Sequence, residues 1–390
     1  MSNANPLFYR PKIGLDIPTK LPKPYELCWC GSGVKFKKCH RLRESEPAAN
    51  AFSESANMRA AGKVGKCLHP GSGGGSCSSA SIASHTVQRG GGLSAIAEQG
   101  HVLTTFVDYR DLRRHHGTPK PRRIGIKEAS TFPGFCNTHD SALFSPIEQA
   151  TLTIDPETAF LFLYRVMSLE LVRKQKVIES LPALKRADRG SAIDRQIETQ
   201  ATLAPYEHGL LSSQAAMISR KSAADAKLVG RDWSDIHYCQ IEFDGLLPIT
   251  TACAFYPEFD WTGKRLQYLT RVSPPLDELG FTITSYQNRT SVVFVWTGSK
   301  TGIQRNFVET FLAIPDAEKA ERITAFCFET SENSQLKPSW WQALAAPTRK
   351  FLSAKMWNGT TRKPHEAKAM RDRAPLPTAL ATSNIVHSWV

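Results

Sequence analysis

Cys28-Trp-Cys-Gly-Ser-Gly-Val-Lys-Phe-Lys-Lys-Cys-His40 gathers three cysteines and a histidine into thirteen residues. Zinc takes four such soft or borderline ligands in a tetrahedron. The single residue between Cys28 and Cys30 makes a tight knuckle, and Cys39 and His40 close it from the following turn. Gly31 and Gly33 let the backbone turn with positive φ, leaving amides free to point at thiolates. The spacing predicts a zinc site with Cys28, Cys30, Cys39 and His40 as ligands.

This segment resembles the SEC-C motif, the zinc-binding tail of the preprotein translocase motor SecA, which also occurs in many unrelated bacterial proteins. The four ligands fall on the family's ligand positions, and Gly31-Ser32-Gly33 on its turn. The resemblance covers about thirteen of 390 residues. It implies docking rather than catalysis, onto a ribosome or a SecB-like chaperone, since fold modules alone do not carry chemistry. Lys35, Lys37 and Lys38, with Arg41 and Arg43, suit such an acidic partner. No Walker motif is present, so translocase activity is excluded.

Cys67, Cys77, Cys136 and His139 form a second set, in two pairs separated by about sixty residues. Cys136-Asn-Thr-His139 has the two-residue gap of a zinc knuckle. Cys67 and Cys77 flank a glycine-rich loop, where His69 competes with Cys77 as a ligand. A second zinc is expected here.

The arrangement resembles a treble-clef finger, and the placement of His85 in Ile82-Ala-Ser-His85-Thr-Val-Gln88 resembles the HNH endonucleases. That resemblance implies His85 as a general base and Asp140 as a ligand for magnesium, beside which water attacks a phosphodiester. Two departures stand out. The residue before the base is Ser84 rather than an acid or histidine, and no asparagine occurs from Thr86 to Phe135. Either the centre is rebuilt with His101, Asp108 or Asp111, or the zinc fold is retained without its chemistry, with His85 structural.

Charge supports a polyanionic partner. The chain has 49 Lys+Arg against 36 Asp+Glu, and residues 1–140 alone hold 20 against 10. A concentrated positive field draws nucleic acid, ribosome or an acidic protein. Within it, Arg113, Arg114, Lys120, Arg122 and Arg123 form a basic stretch, read as a loop, placed for phosphate contact. No run of eighteen apolar residues exists and no secretory signal is visible, so a cytoplasmic, non-membrane protein is expected. Thiols stay reduced there, which favours zinc over disulfides.

The remainder reads as scaffold. Phe160, Leu163, Tyr164, Met167, Leu171 and Ile178 make an amphipathic stripe after an Asp155-Pro156-Glu157 start. Leu181-Pro182 should end or kink this helix, and a second, from Ser191 to Lys227, should break at Pro205. His237–Phe243, Ile249–Phe259 and Phe281–Trp296 predict antiparallel strands, followed by a helix over Gln304–Ala313. Cys239, Cys253 and Cys327 are expected in the core, as are Trp340 and Trp341.

The expected class is α+β. Its segments are an extended arm at 1–27, the SEC-C module at 28–43, a linker at 44–65 and a treble-clef-like zinc domain at 66–150. A helical hairpin at 151–230, a β-rich domain at 231–358 and a loose basic tail at 359–390 follow. Two functions are consistent with this: a zinc-binding, nucleic-acid-interacting protein, possible HNH-like nuclease of phage defence, or a non-enzymatic SEC-C adaptor.

Overall fold

The structure, a computed structural model, describes residues 20–49, 65–73, 76–78, 80–106, 109–149, 151–269, 276–360, 367–373, 375–378 and 380–389. Most of the expected arm and linker, and Asp108, lie outside these residues. The fold is mixed α+β, and its contacts divide it into two units. One comprises 1–64 with 171–220, the other 65–170 with 221–390.

The first unit holds the cysteine module and the facing portions of two long helices. These helices are numbered after two short ones, α1 (Tyr109–Arg114) and α2 (Asn137–Phe144); they are α3 (Pro156–Lys185) and α4 (Ile193–Gly230). Gln175 on α3 hydrogen-bonds Gln214 on α4, and Lys185 meets Glu207 at 2.5 Å. Neither helix ends at its proline: α3 runs through Pro182 to Lys185, and α4 continues through Pro205, where a break was expected. Each proline forfeits a backbone hydrogen bond, at about 3 kcal/mol. Pro182 sits one turn from its helix end, and Pro205 is carried by the turns packed on either side of it.

The second unit is built on strands. β1 (Ala83–His85) pairs with β4 (Thr131–Pro133), while β2 (His101–Thr104) and β3 (Arg122–Gly125) belong to the main sheet. The other strands of that sheet are β5 (Ile236–Phe243), β6 (Ile249–Phe255), β7 (Leu279–Tyr286), β8 (Arg289–Thr297), β9 (Ser334–Leu336) and β10 (Thr382–His387). Among the described residues its order is β10-β5-β8-β7-β6-β9-β2-β3, antiparallel at every pairing.

Two expectations change here, and one gains detail. The stretch Phe281–Trp296, expected as antiparallel strand with Asn-Arg as punctuation, is a hairpin that turns just before Arg289. Gln287 (φ 45°) and Asn288 (φ 61°) turn it with two successive positive φ values, the geometry that matches strand twist. The basic stretch read as a loop is α1, a turn and β3. The tail read as loose ends in β10, which pairs along β5. Strands β2 and β3 also carry residues of the 66–150 segment into the same sheet as those of 231–358.

Both faces of the central strands are covered, which is why Ser291-Val-Val-Phe-Val-Trp296 is buried throughout. Successive side chains point to opposite faces. The register places Phe281 opposite Phe294 and Gly280 opposite Val295, so these two pairs face opposite ways. Phe281 and Phe294 stack at 5.2 Å, under Phe307 of α5 (Ile303–Leu312) and Phe326 of α6 (Asp316–Thr330). Cys239, Cys253 and Cys327 are buried in this core, as expected.

On the other face α3 comes down on β7 at Gly280. A Cβ there would lie 2.8 Å from Leu163 Cδ1 and 2.9 Å from Val295 Cγ1, so the close approach requires glycine. Gly280→Ala is expected to cost about 1–3 kcal/mol through overpacking and to lower the thermal midpoint by several degrees. An unchanged midpoint in a circular-dichroism melt would mean that α3 does not seat there.

Candidate metal centres

The first centre begins as a backbone knuckle. Cys28 N–H donates to the Val34 carbonyl at 2.8 Å and Gly31 N–H to the Cys28 carbonyl at 3.3 Å. Gly31 (φ 74°) and Gly33 (φ 71°) adopt the left-handed region as the sequence requires. Nothing lies within 4 Å of a Cβ built on Gly33, so dihedral freedom rather than space selects glycine there. A short 3₁₀ turn, Phe36–Lys38, then delivers Cys39 and His40.

The four ligand atoms converge within 4.8 Å of one another. His40 Nδ1 lies 3.2 Å from Cys28 Sγ and 3.2 Å from Cys39 Sγ, and Cys30 Sγ is 3.6 Å from Cys39 Sγ. A zinc tetrahedron with ordinary Zn–S and Zn–N bonds has edges of about 3.6–3.8 Å. The donor set and its spacing therefore fit zinc, held by Cys28, Cys30, Cys39 and His40.

A residue far along the chain completes this centre. Asp188, fully buried in the α3–α4 connection, accepts from His40 Nε2 at 3.2 Å and from Gln200 Nε2 at 2.7 Å. Arg43 Nε stands 3.0 Å from its other oxygen. This contact fixes the tautomer that leaves Nδ1 as the ligand atom. Burial pushes the His40 imidazole down, but Asp188 and the neighbouring thiols outweigh it and raise it to about 10. Hydrogen bonds among the three thiols push Cys28 up and hold Cys30 and Cys39 down. Trp29, Phe36, Ile193 and Ile197 pack around the cluster.

The second centre joins Cys67, Cys77, Cys136 and His139, again within 4.8 Å. His139 Nδ1 is 3.2 Å from Cys136 Sγ, 3.5 Å from Cys67 Sγ and 3.6 Å from Cys77 Sγ. Cys136 is the residue preceding α2. Burial pushes its thiol up, but backbone hydrogen bonds from His139 and Ser78 prevail and bring it to about 6. His69, the competing ligand in the loop, instead stacks on the His139 ring at 4.1 Å and accepts from Gly71 N–H. Lys221 Nζ holds the loop by donating to the Leu68 carbonyl (2.8 Å), Tyr164 Oη (2.8 Å) and Asp225 Oδ1 (2.6 Å). This donor set also suits zinc.

His85 and Asp140 occupy adjoining positions beside this centre. His85 ends β1, and its Nε2–H donates to the Ile126 carbonyl at 3.0 Å, leaving Nδ1 as the lone-pair nitrogen. Burial lowers its basicity. Asp140 stands in the first turn of α2, its carboxyl pushed up by burial and partly restored by Arg165 and Ser84. One of its oxygens is buried without a hydrogen-bond partner, as are Nε and Nη1 of Arg165. Arg165 pairs through Nη2 with Glu148 at 2.6 Å and lies over the Phe144 ring.

Of the residues named for a rebuilt nuclease centre, the two that are described are engaged elsewhere. His101 Nδ1 is 2.7 Å from the Gln99 carbonyl, and Asp111 pairs with Arg122 at 3.2 Å. Among the described residues, groups of three or more metal-ligating side chains occur at the two Cys3His clusters, and neither contains His85 or Asp140. Of the basic set, Lys35, Lys38, Arg113, Arg114, Lys120 and Arg123 are exposed. Lys37 is half-buried over the Tyr25 ring, and Arg122 is committed to Asp111. The sequence reading missed Asp188 and Arg165, for which no local pattern exists.

Residues 26–42 match the family model of the SEC-C motif. No curated protein and no solved structure matches the chain. Neither result supports an HNH or treble-clef kinship for 66–150. No helix of the described residues is long and apolar enough to cross a membrane.

Elemental analysis of purified protein is expected to give two zinc ions per chain, with Cys28→Ser and Cys136→Ser each removing one. A single zinc insensitive to Cys136→Ser would eliminate the second centre. Asp188→Asn should weaken zinc retention at the first centre by about 10–100-fold in a chelator competition. Unchanged retention would show that His40 needs no orienting partner.

Proposed function

We propose that this chain is a zinc-stabilised docking protein for a polyanion, nucleic acid or a ribosome, with the SEC-C module as its docking head. The observation that carries this reading is the surface of the module. Tyr25, Leu27, Val34 and Leu42 are exposed there, although large apolar side chains are ordinarily withdrawn from water. Lys35, Lys38 and Arg41 are exposed among them. A patch of apolar contacts studded with cations suits a partner that offers flat hydrophobic surface and negative charge together. The zinc holds this patch rigid, so little conformational entropy opposes docking.

Lys35→Glu combined with Lys38→Glu is the direct test, because both side chains are exposed and neither reaches a zinc ligand. Ribosome or RNA binding is expected to weaken tenfold or more and to lose part of its salt dependence. Binding unchanged in strength and salt slope would sink the reading. Capture of an acidic chaperone in place of RNA would redirect it to the protein-adaptor alternative.

A second reading, a magnesium-dependent nuclease, is favoured by one specific arrangement. His85 has its Nε2 anchored to a carbonyl and its Nδ1 available as a base, on the strand beside the helix that carries Asp140. Magnesium, held by Asp140, would supply charge stabilisation at the scissile phosphate. His85→Ala should then abolish cleavage while zinc content and the melting transition stay intact. Because burial lowers the His85 pKa, cleavage should persist at pH 7 and fall only below the usual histidine range. Loss of zinc or of folding in His85→Ala would make the histidine structural.

A further inference from the structure

A cavity of about 700 Å³ opens in the second unit, between the turn that follows α1 and the helix α8 (Ala346–Thr360), with Trp341 of the short helix α7 (Pro338–Ala343) on its wall. Its size is that of an ordinary small-molecule site. The lining includes two indoles, Trp341 and Trp357, and three cations, Lys120, Arg349 and Lys350. Among the described residues the lining includes no carboxylate. Neither metal centre contributes a residue to it.

The helix explains the arrangement. Arg349, Ser353 and Trp357 recur every fourth residue, and Lys350, Ala354 and Trp357 follow at four and three, so all five share one face of α8. The small Ser353 and Ala354 leave space between the cations at one end of this face and the indole at the other. Lys350 and Trp357 stand about 10 Å apart along the axis at 1.5 Å per residue. Lys120 approaches from the opposite wall, on a turn where His116 (φ 50°) and Gly117 (φ 80°) adopt left-handed conformations. Trp341 is held by stacking on Phe328 at 5.8 Å, and Arg349 Nη1 donates to the Gln342 carbonyl at 3.0 Å. These contacts fix two of the lining side chains before any ligand arrives.

We propose that this cavity binds a nucleotide, with its base stacked on the indole of Trp357 and its phosphate held by Lys350, Arg349 and Lys120. A flat π-system at one end and concentrated negative charge at the other is the ligand chemistry that indoles and unopposed cations select together. The same chemistry is offered by a free nucleotide and by one unit of a single strand. In the second case the exposed Arg113 and Arg114 of α1 extend the cationic path beyond the cavity. The proposal deepens the polyanion reading while locating recognition on a unit separate from the SEC-C module.

The experiment titrates the full chain with a fluorescein-labelled ten-residue oligothymidylate by anisotropy, and with ATP by calorimetry and as a competitor. Trp357→Ala and Lys350→Glu should each weaken binding tenfold or more, and Trp357→Phe should restore most of it. Lys350 is exposed, so its reversal leaves the fold intact, which a melting curve confirms. Strand binding that ATP competes away marks the strand as a source of the ligand, whereas ATP binding without strand binding marks the free nucleotide. The latter outcome keeps the cavity and removes the nucleic-acid reading above. Strand binding that survives both substitutions but falls with Lys35→Glu and Lys38→Glu overturns the cavity and keeps that reading. Binding of neither probe overturns the proposal.

Discussion

Each cysteine cluster packs three thiols and an imidazole closely enough for a metal ion to sit among them. Three sulfur atoms and an imidazole nitrogen within 4.8 Å cannot all lose their protons without a cation among them. A zinc ion at each cluster would remove the conflict and link the backbone segments that carry the ligands. Metal-binding free energy would thereby become folding free energy.

The two clusters use that link differently. The first closes a loop of thirteen residues and is braced from outside by Asp188, whose carboxylate reaches His40 across a sequence separation of 148. The second ties a loop at Cys67–Cys77 to the start of α2, and the β1–β4 pair lies between those points in sequence. Tyr164 and Lys221, both also donating to Asp225, then hold the carbonyl of Leu68, the neighbour of Cys67, against α3 and α4. A buried lysine is costly, and here three acceptors compensate for its desolvation. Arg165 is less well served, since two of its nitrogens are buried without hydrogen-bond partners beside an equally unpartnered oxygen of Asp140. This uneven compensation separates a bracing network from a cluster whose polar demand is left over.

Much of the scaffold was legible because periodic patterns are local. The stripe Phe160, Leu163, Tyr164 and Met167 placed α3, and β-branched and aromatic runs placed β5, β6 and the β7–β8 hairpin. The break expected at Pro205 does not form, because proline cost is local whereas packing is summed over the whole helix. Asn288-Arg289 marked the turn, but the left-handed pair Gln287–Asn288 is imposed by the hairpin. Trp341 and Trp357 gave no signal as a pair, since the cavity exists only once α7, α8 and the Lys120 turn are assembled.

The amino-acid sequence by itself picked out the two Cys3His groups that could hold a metal ion, because soft donors at knuckle spacing carry their coordination chemistry with them. It also determined the α+β class and the basic character of the first third. Tertiary structure decided what surrounds those ligands. It set Asp188 behind His40, put His69 on the face of His139 and not in the tetrad, and carried β2 and β3 into the large sheet through β9. Ligand identity is a property of residues and short spacings. Orientation, burial and the charge that faces each group depend on chain segments tens to hundreds of residues away, and only packing brings those together.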